Sequence, residues 1–183
     1  MNGITVYLGC MYSGKTSELI RECRRCISIN KKVLAINYIA DNRYSDDDFI
    51  ASHNLDKVAC IKVNKLADIT NNHLDECDYI CIDEGQFFSD LKEYVLKWCE
   101  EYNKNIIVIG LSGDFKREPF GQILDLIPIA DRVIKLNALC TYCNDGTEAL
   151  FTHRISNESE QIVIGNSNYI PVCRKHYIAF NKK

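Results

Sequence analysis

Three groups of residues in this 183-residue chain have types and spacings that could do chemistry. The first is Gly9-Cys10-Met11-Tyr12-Ser13-Gly14-Lys15-Thr16. It fits G-x-x-x-x-G-K-[ST], a loop whose successive backbone N–H groups turn inward on phosphate oxygens. Gly9 and Gly14 supply backbone freedom that other residues lack. In this reading Lys15 reaches the outer phosphates of a nucleoside triphosphate, and the Thr16 hydroxyl ligates Mg²⁺. A helix starting near Lys15 adds its positive end.

The second group is Asp83-Glu84, directly after the apolar run Tyr79 to Ile82. A carboxylate at the end of a parallel strand beside a phosphate loop is placed to hold Mg²⁺, and Asp83 takes that role. Glu84 then lies nearer the reacting phosphate, where it can act as a base. Its proton can come from a water or from an acceptor hydroxyl, so the pair leaves hydrolysis and transfer both open.

The third group is Cys140-x-x-Cys143 with Cys173-x-x-His176. Each half has the short spacing that lets two ligands meet one tetrahedral Zn²⁺, and four ligands with no spare position mean a structural site. Such a site ties down the roots of residues 144–172, a stretch too long to order itself readily. Cys23-x-x-Cys26 has the same spacing but sits inside a helical pattern, where core packing is the expectation. Cys10, Cys60, Cys77, Cys81 and Cys99 read as structural too. His53, His73 and His153 have no partner that the sequence identifies.

The elements that must position these groups alternate. Ile4 to Leu8 reads as a buried strand ahead of the loop. Leu19, Ile20, Cys23, Cys26 and Ile27 recur at helical spacing after it. Val33–Tyr38, Tyr79–Ile82, Ile106–Ile109 and Arg132–Leu136 read as further strands. Leu91, Tyr94, Val95, Trp98 and Cys99 mark an amphipathic helix with Ser89 as its N-cap. Residues 42–53 read as irregular, with a solvated acidic run at Asp46, Asp47 and Asp48. The pattern predicts an α/β fold: a P-loop NTPase-like parallel sheet with flanking helices over residues 1–139. A small zinc-ribbon domain, loop-like in its sequence, follows over residues 140–183.

Composition narrows the class. The net charge of −3 disfavours a dedicated nucleic-acid binder. No run of about 18 apolar residues marks a transmembrane helix. The start, Met1 to Thr5, lacks a signal-peptide pattern, so the expectation is a cytoplasmic protein with its ten cysteines mostly reduced.

These motifs together resemble the zinc-containing, P-loop thymidine kinases of animal cytosol, many bacteria and poxviruses. The likeness spans nearly the whole chain and is most specific at Asp83-Glu-Gly-Gln-Phe-Phe88. Gly110-Leu-Ser-Gly-Asp-Phe115, Pro119-Phe120-Gly121 and Asp41-Asn-Arg43-Tyr44 stand beside it. The resemblance implies a nucleoside-salvage enzyme that uses ATP to phosphorylate thymidine for DNA synthesis. It implies that Gly9 to Thr16 hold the triphosphate, with Asp41, Asn42, Arg43, Asp83, Gly85 and Gln86 completing the phosphate and Mg²⁺ region. Glu84 would take the proton from the nucleoside 5′-hydroxyl. Phe115 would face the base or sugar, with Met11, Leu111 and Phe87 lining the pocket. The zinc-rooted segment would close over the nucleoside as a lasso. In it Gln161, Ile162, Val163, Ile164 and Gly165 would offer backbone groups to the pyrimidine edge, Tyr169 would close over the substrate, and Thr152 would lie nearby. A homotetramer inhibited by dTTP is implied as well.

The chain departs from the usual family pattern at Cys10 and Tyr12, at Ser112 where an acidic residue is common, and at His176 where a fourth Cys is more frequent. The lasso is about two residues longer between Cys143 and Thr152 than in the animal enzymes, and about one shorter before Tyr169, as gauged from that likeness. Three other readings share parts of the pattern: a kinase for another pyrimidine deoxynucleoside, an ATPase in which Glu84 activates water, and a ribbon that binds nucleic acid. The balance of Asp145, Glu148, Glu158 and Glu160 against Arg154, Arg174 and Lys175 disfavours the last.

Overall fold

Alternation along each strand splits the apolar residues between two faces of one sheet. Ile4, Val6 and Leu8 face one way with Ile80, Ile82, Ile106 and Val108. Tyr7, Cys81, Ile107 and Ile109 face the other. Both sets need cover, which is why the intervening segments form helices on both sides. The computed structural model describes residues 2–39, 49–51, 56–156, 158, 160–161 and 168–182. Asp41, Asn42, Arg43, Tyr44, His53, Ile162, Val163, Ile164 and Gly165 lie outside the described residues.

In chain order, β1 (Ile4–Gly9) leads through the loop into α1 (Lys15–Ser28) and β2 (Val33–Tyr38). The short strands β3 (Phe49–Ala51) and β4 (Lys57–Ala59) form an antiparallel pair, followed by β5 (Ile61–Val63). Next come α2 (Asn71–Asp75), β6 (Tyr79–Ile82), α3 (Leu91–Glu100), β7 (Asn105–Leu111) and β8 (Arg132–Leu136). The last elements are β9 (Ala138–Leu139), β10 (Glu148–Ala149), β11 (Phe151–Arg154), β12 (Tyr169–Val172) and α4 (Arg174–Phe180). The main sheet has six strands in the order β5-β2-β6-β7-β1-β8, and every pairing in it is parallel. This is the α/β parallel sheet that the pattern predicts.

The α1 helix buries Leu19, Ile20, Cys23 and Cys26 on one face of the sheet. Fully burying a Leu or Ile contributes roughly 1.5–3 kcal/mol. Cys23 and Cys26 are therefore core residues, as their helical spacing predicts. Ile27 is 51% exposed and stands off that stripe. The α3 helix seals the opposite face with Leu91, Val95 and Trp98.

Three expectations are corrected. Asp90, not Ser89, precedes the first turn of α3. Its carboxylate accepts from the N–H groups of Leu66 and Ala67, so its role is to hold a neighbouring turn rather than its own helix. Phe49–Ala51, inside the stretch read as irregular, is a strand. The segment after Cys140 is not simply loop: β9 pairs with β10, β11 pairs with β12, and α4 closes it. Strands of two to four residues are too short to show a period against polar neighbours.

Candidate active site

Parallel order places the carboxyl ends of β1, β6 and β7 along one edge of the sheet, where α/β folds bind ligands. Gly9 lies opposite Leu111, and Ile82 lies opposite Val108. β7 separates β1 from β6, so the phosphate loop and Asp83 stand two strand spacings apart, roughly 10 Å.

In the loop the two glycines do different work. Gly14 is left-handed at φ 80° and sits at the N-terminus of α1. Gly9 is strand residue; a Cβ there would lie 2.3 Å from the Ser13 hydroxyl and 2.8 Å from the Leu136 carbonyl. Its need is space rather than a special dihedral, which corrects the reading of Gly9 as a source of conformational freedom. The second left-handed residue is Tyr12, at φ 63°. Ser13 donates its hydroxyl to the Cys10 carbonyl at 2.9 Å, and the buried Lys15 ammonium donates to the same oxygen at 2.7 Å. Lys15 thus lies across the mouth of its own loop.

At the end of β6, Asp83 and Glu84 are both buried. Asp83 accepts the Glu84 N–H at 2.8 Å. Glu84 is left-handed at φ 52°, a strained setting for a residue with a side chain and one that recurs at functional sites. Gln86 fixes its carboxylate: the Gln86 amide nitrogen donates to Glu84, and the amide oxygen accepts the Leu111 N–H at 3.0 Å. Gly110 leaves room for this amide, since a Cβ there would lie 2.3 Å from Gln86 Oε1. Phe87 stacks on Tyr38 at 5.2 Å between centroids and meets Phe120 edge-on at 5.5 Å.

Phe115 and Tyr169, far apart in sequence, meet at Arg154. Its guanidinium lies 3.7 Å from the Phe115 ring centroid and 5.1 Å from that of Tyr169. It donates to the carbonyls of Glu158, Glu160 and Gln161 and to the Tyr169 hydroxyl. The Gln161 amide donates to Asp114 at 2.9 Å. Thr152 is buried, and its hydroxyl accepts the Met11 N–H at 3.0 Å. Sequence reasoning missed Arg154 and Asp114. Arg154 entered it only as a surface charge; a buried Arg carries no local signature.

Cys140, Cys143, Cys173 and His176 converge, with ligand atoms all within 4.8 Å of one another. His176 Nδ1 lies 3.4 Å from the Cys140 and Cys143 sulfurs and 3.3 Å from Cys173. Cys143 and Cys173 sulfurs are 3.7 Å apart. A tetrahedron with Zn–S near 2.3 Å and Zn–N near 2.0 Å has edges of about 3.5–3.8 Å, so the donor set fits zinc in size and type. Burial and the thiols of Cys140 and Cys173 push the Cys143 thiol up to about 11. Burial also acts to raise Cys140, but backbone N–H groups of Cys173, Cys143 and Tyr142 outweigh it and hold that thiol at about 6. Sulfurs this close ionise together only around a cation. A zinc ion bound here would be structural.

The other cysteines are quiet. Burial raises the Cys10 thiol, which donates to the Ala149 carbonyl at 3.4 Å. His73 pairs with Thr70 at the start of α2, and His153 packs on Phe180. No helix among the described residues is long and apolar enough to cross a membrane.

The family profile described as "Thymidine kinase" matches residues 2–177. A "Thymidine kinase" of monkeypox virus is 41% identical over 181 residues, covering 97% of this chain and 99% of the relative. One from vaccinia virus, strain Western Reserve, is 40% identical with the same coverage. A "Thymidine kinase" of Oryza sativa subsp. japonica is 38% identical over 96% of this chain and 66% of its own length.

Proposed function

The chain belongs to the thymidine kinase family, and from that premise we propose how its own residues carry out the reaction. It is a phosphotransferase that moves the γ-phosphate of ATP to the 5′-hydroxyl of thymidine, giving dTMP. The single observation that carries the residue assignment is the Glu84–Gln86–Leu111 chain of hydrogen bonds. It holds one buried carboxylate at the carboxyl edge of the sheet, in a strained backbone, two strand spacings from the phosphate loop.

In this reading Gly9 to Thr16 cradle the triphosphate, and Lys15 turns from the Cys10 carbonyl to the phosphate oxygens. Glu84 orients the 5′-hydroxyl and takes its proton as the new P–O bond forms. Thr16 and Asp83 supply the hard oxygen donors that suit Mg²⁺. When bound with ATP that ion neutralises developing charge on the phosphates. Phe87, Leu111, Phe115, Thr152 and Tyr169 enclose the nucleoside, with the backbone from Gln161 onward facing the pyrimidine edge. Enclosure keeps water from the reacting phosphate. The tie from Met11 to Thr152 supports joint placement of the two substrates. Asp41 to Arg43 complete the phosphate region in the same proposal. The division at residue 139 and a cytoplasmic setting rest on the sequence pattern, and a homotetramer and inhibition by dTTP on the family likeness.

The test is direct. The purified protein is incubated with ATP, Mg²⁺ and a panel of nucleosides, and the monophosphates formed are separated. dTMP should predominate. Steady ATP hydrolysis without nucleoside, or preference for deoxycytidine, would reject the reading.

A further inference from the structure

Most charged side chains of the C-terminal segment point to water, but Arg154 is only 6% exposed. A buried guanidinium is usually held by a carboxylate. The groups recorded as accepting from this one are the carbonyls of Glu158, Glu160 and Gln161 and the phenol of Tyr169. Among the described residues its Nε finds no acceptor. The acceptors also flank residues 162–167: Gln161 stands before them and Tyr169 just after.

The planar group also lies over a ring of the main domain, 3.7 Å from the Phe115 centroid. Phe115 is held from a second side, where the Tyr177 hydroxyl donates to its carbonyl at 2.8 Å. Gln161, besides giving its carbonyl to Arg154, gives its amide to Asp114. Asp114 in turn accepts the N–H groups of Lys116 and Glu118 at 2.8 and 2.9 Å. One side chain therefore joins Phe115, in the loop after β7, to Gln161 and Tyr169.

We propose that Arg154 is the positioning residue of the nucleoside pocket: it joins Gln161 and Tyr169 to each other and to Phe115, and so sets affinity for the pyrimidine. This rests on the reading of Phe115, Gln161 and Tyr169 as nucleoside contacts. Arg154 bonds Glu158, Glu160, Gln161 and Tyr169, which lie on the nucleoside side of the site in this reading, so ATP should be bound independently of it.

Arg154→Lys is the decisive variant, because an ammonium keeps the charge and much of the stem but cannot spread over a planar fork of acceptors. Arg154→Ala is its companion. Steady-state kinetics with varied thymidine and varied ATP are read beside zinc stoichiometry and Tm. The expected result is a rise of roughly tenfold or more in the KM for thymidine, with the KM for ATP and kcat within about threefold and zinc retained. In Arg154→Ala, millimolar guanidinium ion should recover part of the thymidine affinity. A KM for thymidine within about twofold of the parent in a folded Arg154→Lys protein would overturn the proposal, as would a parallel rise in both KM values. Loss of zinc or of the folded state in Arg154→Lys would make Arg154 a structural residue and also overturn it. Failure of the parent protein to make dTMP would instead remove the reading on which it rests.

Discussion

Met11 of the phosphate loop donates its backbone N–H to the Thr152 hydroxyl at 3.0 Å, across most of the chain's length. One residue earlier, Cys10 donates its thiol to the Ala149 carbonyl and packs in one cluster with Cys140, Val172 and Cys173. The loop that would hold phosphate thus shares a core with Cys140 and Cys173 of the cluster that could hold a metal. Thr152→Val keeps the shape and removes the acceptor. The stranded N–H should cost about 1–3 kcal/mol of stability. For a chain of this size each kcal/mol lowers Tm by about 2–4 °C. The KM for ATP should rise with it. Thermal unfolding and ATP kinetics check both, and an unchanged Tm would show the contact to be idle.

Glu84→Gln keeps the size of the side chain and removes its basicity. General-base assistance contributes about 10²–10⁴-fold, so kcat should fall by that order while the KM for ATP stays within about threefold. A kcat within about threefold of the parent, roughly 0.7 kcal/mol, would remove Glu84 from the role.

The sheet and its motifs were legible because each is written locally. Ile4 to Leu8, the glycine-lysine loop and the acidic pair at Asp83 need only their own neighbours to be read. The Cys140, Cys143, Cys173 and His176 cluster was legible because chelate spacing is a short-range signal carried twice. What was not legible is tertiary. Arg154 resembles any surface arginine until Phe115, Gln161 and Tyr169 are brought around it. The small strands after Cys140 take their order from their pairing partners, not from period or propensity. For Gly9 the sequence suggests a dihedral role, but its neighbours Ser13 and Leu136 show that contact decides it.

Gly110→Ala tests the support of the base from behind. A Cβ at this position would press on Gln86 Oε1 at 2.3 Å and on Ile123 Cδ1 at 2.5 Å. Overpacking of this kind costs about 1–3 kcal/mol. Gln86 must also move, and with it the donor to Glu84. The expected outcome is a fall in kcat with little change in either KM. If Gln86 transmits the effect, the double variant Gly110→Ala with Gln86→Ala should be no slower than Gln86→Ala alone. Additive losses would point to another route.

His153 gives a pH dependence with a definite sign. Burial lowers its pKa from the ordinary 6.5, and its ring packs on Phe180 at 5.1 Å. A histidine with a depressed folded pKa favours the neutral form in the folded state. Its stabilising share is complete above the unfolded value of about 6.5 and is lost as pH falls through the lower folded value. His153→Phe keeps a ring against Phe180 and cannot take up a proton. The difference in Tm between variant and parent should therefore shift in favour of the variant as pH drops below about 6.5. Both proteins carry the same metal ligands, so acid release of metal affects them alike. A difference that stays flat between pH 8 and pH 5.5 would rule the linkage out.

Removal of the metal should reach further than the segment it roots. The four ligand atoms fit a tetrahedral zinc, and structural zinc contributes roughly 10–16 kcal/mol in small peptides. Without it Cys140 and Cys173 lose the anchor that holds their cluster; Cys10 packs in that cluster, and Met11 bonds Thr152, next in the chain to Phe151 of the cluster's edge. A chelator strong enough to strip zinc should lower Tm and raise the KM for thymidine. It should also weaken ATP binding measured with no nucleoside present, and added Zn²⁺ should restore all three. Cys143→Ser should give the same pattern more mildly, with zinc content below one per chain. The ATP measurement separates two mechanisms. If stripping abolishes thymidine binding and leaves ATP affinity intact, the metal orders only the closing segment and the Met11–Thr152 bond transmits nothing. If both affinities fall together, the phosphate loop depends on a metal site to which it contributes no ligand.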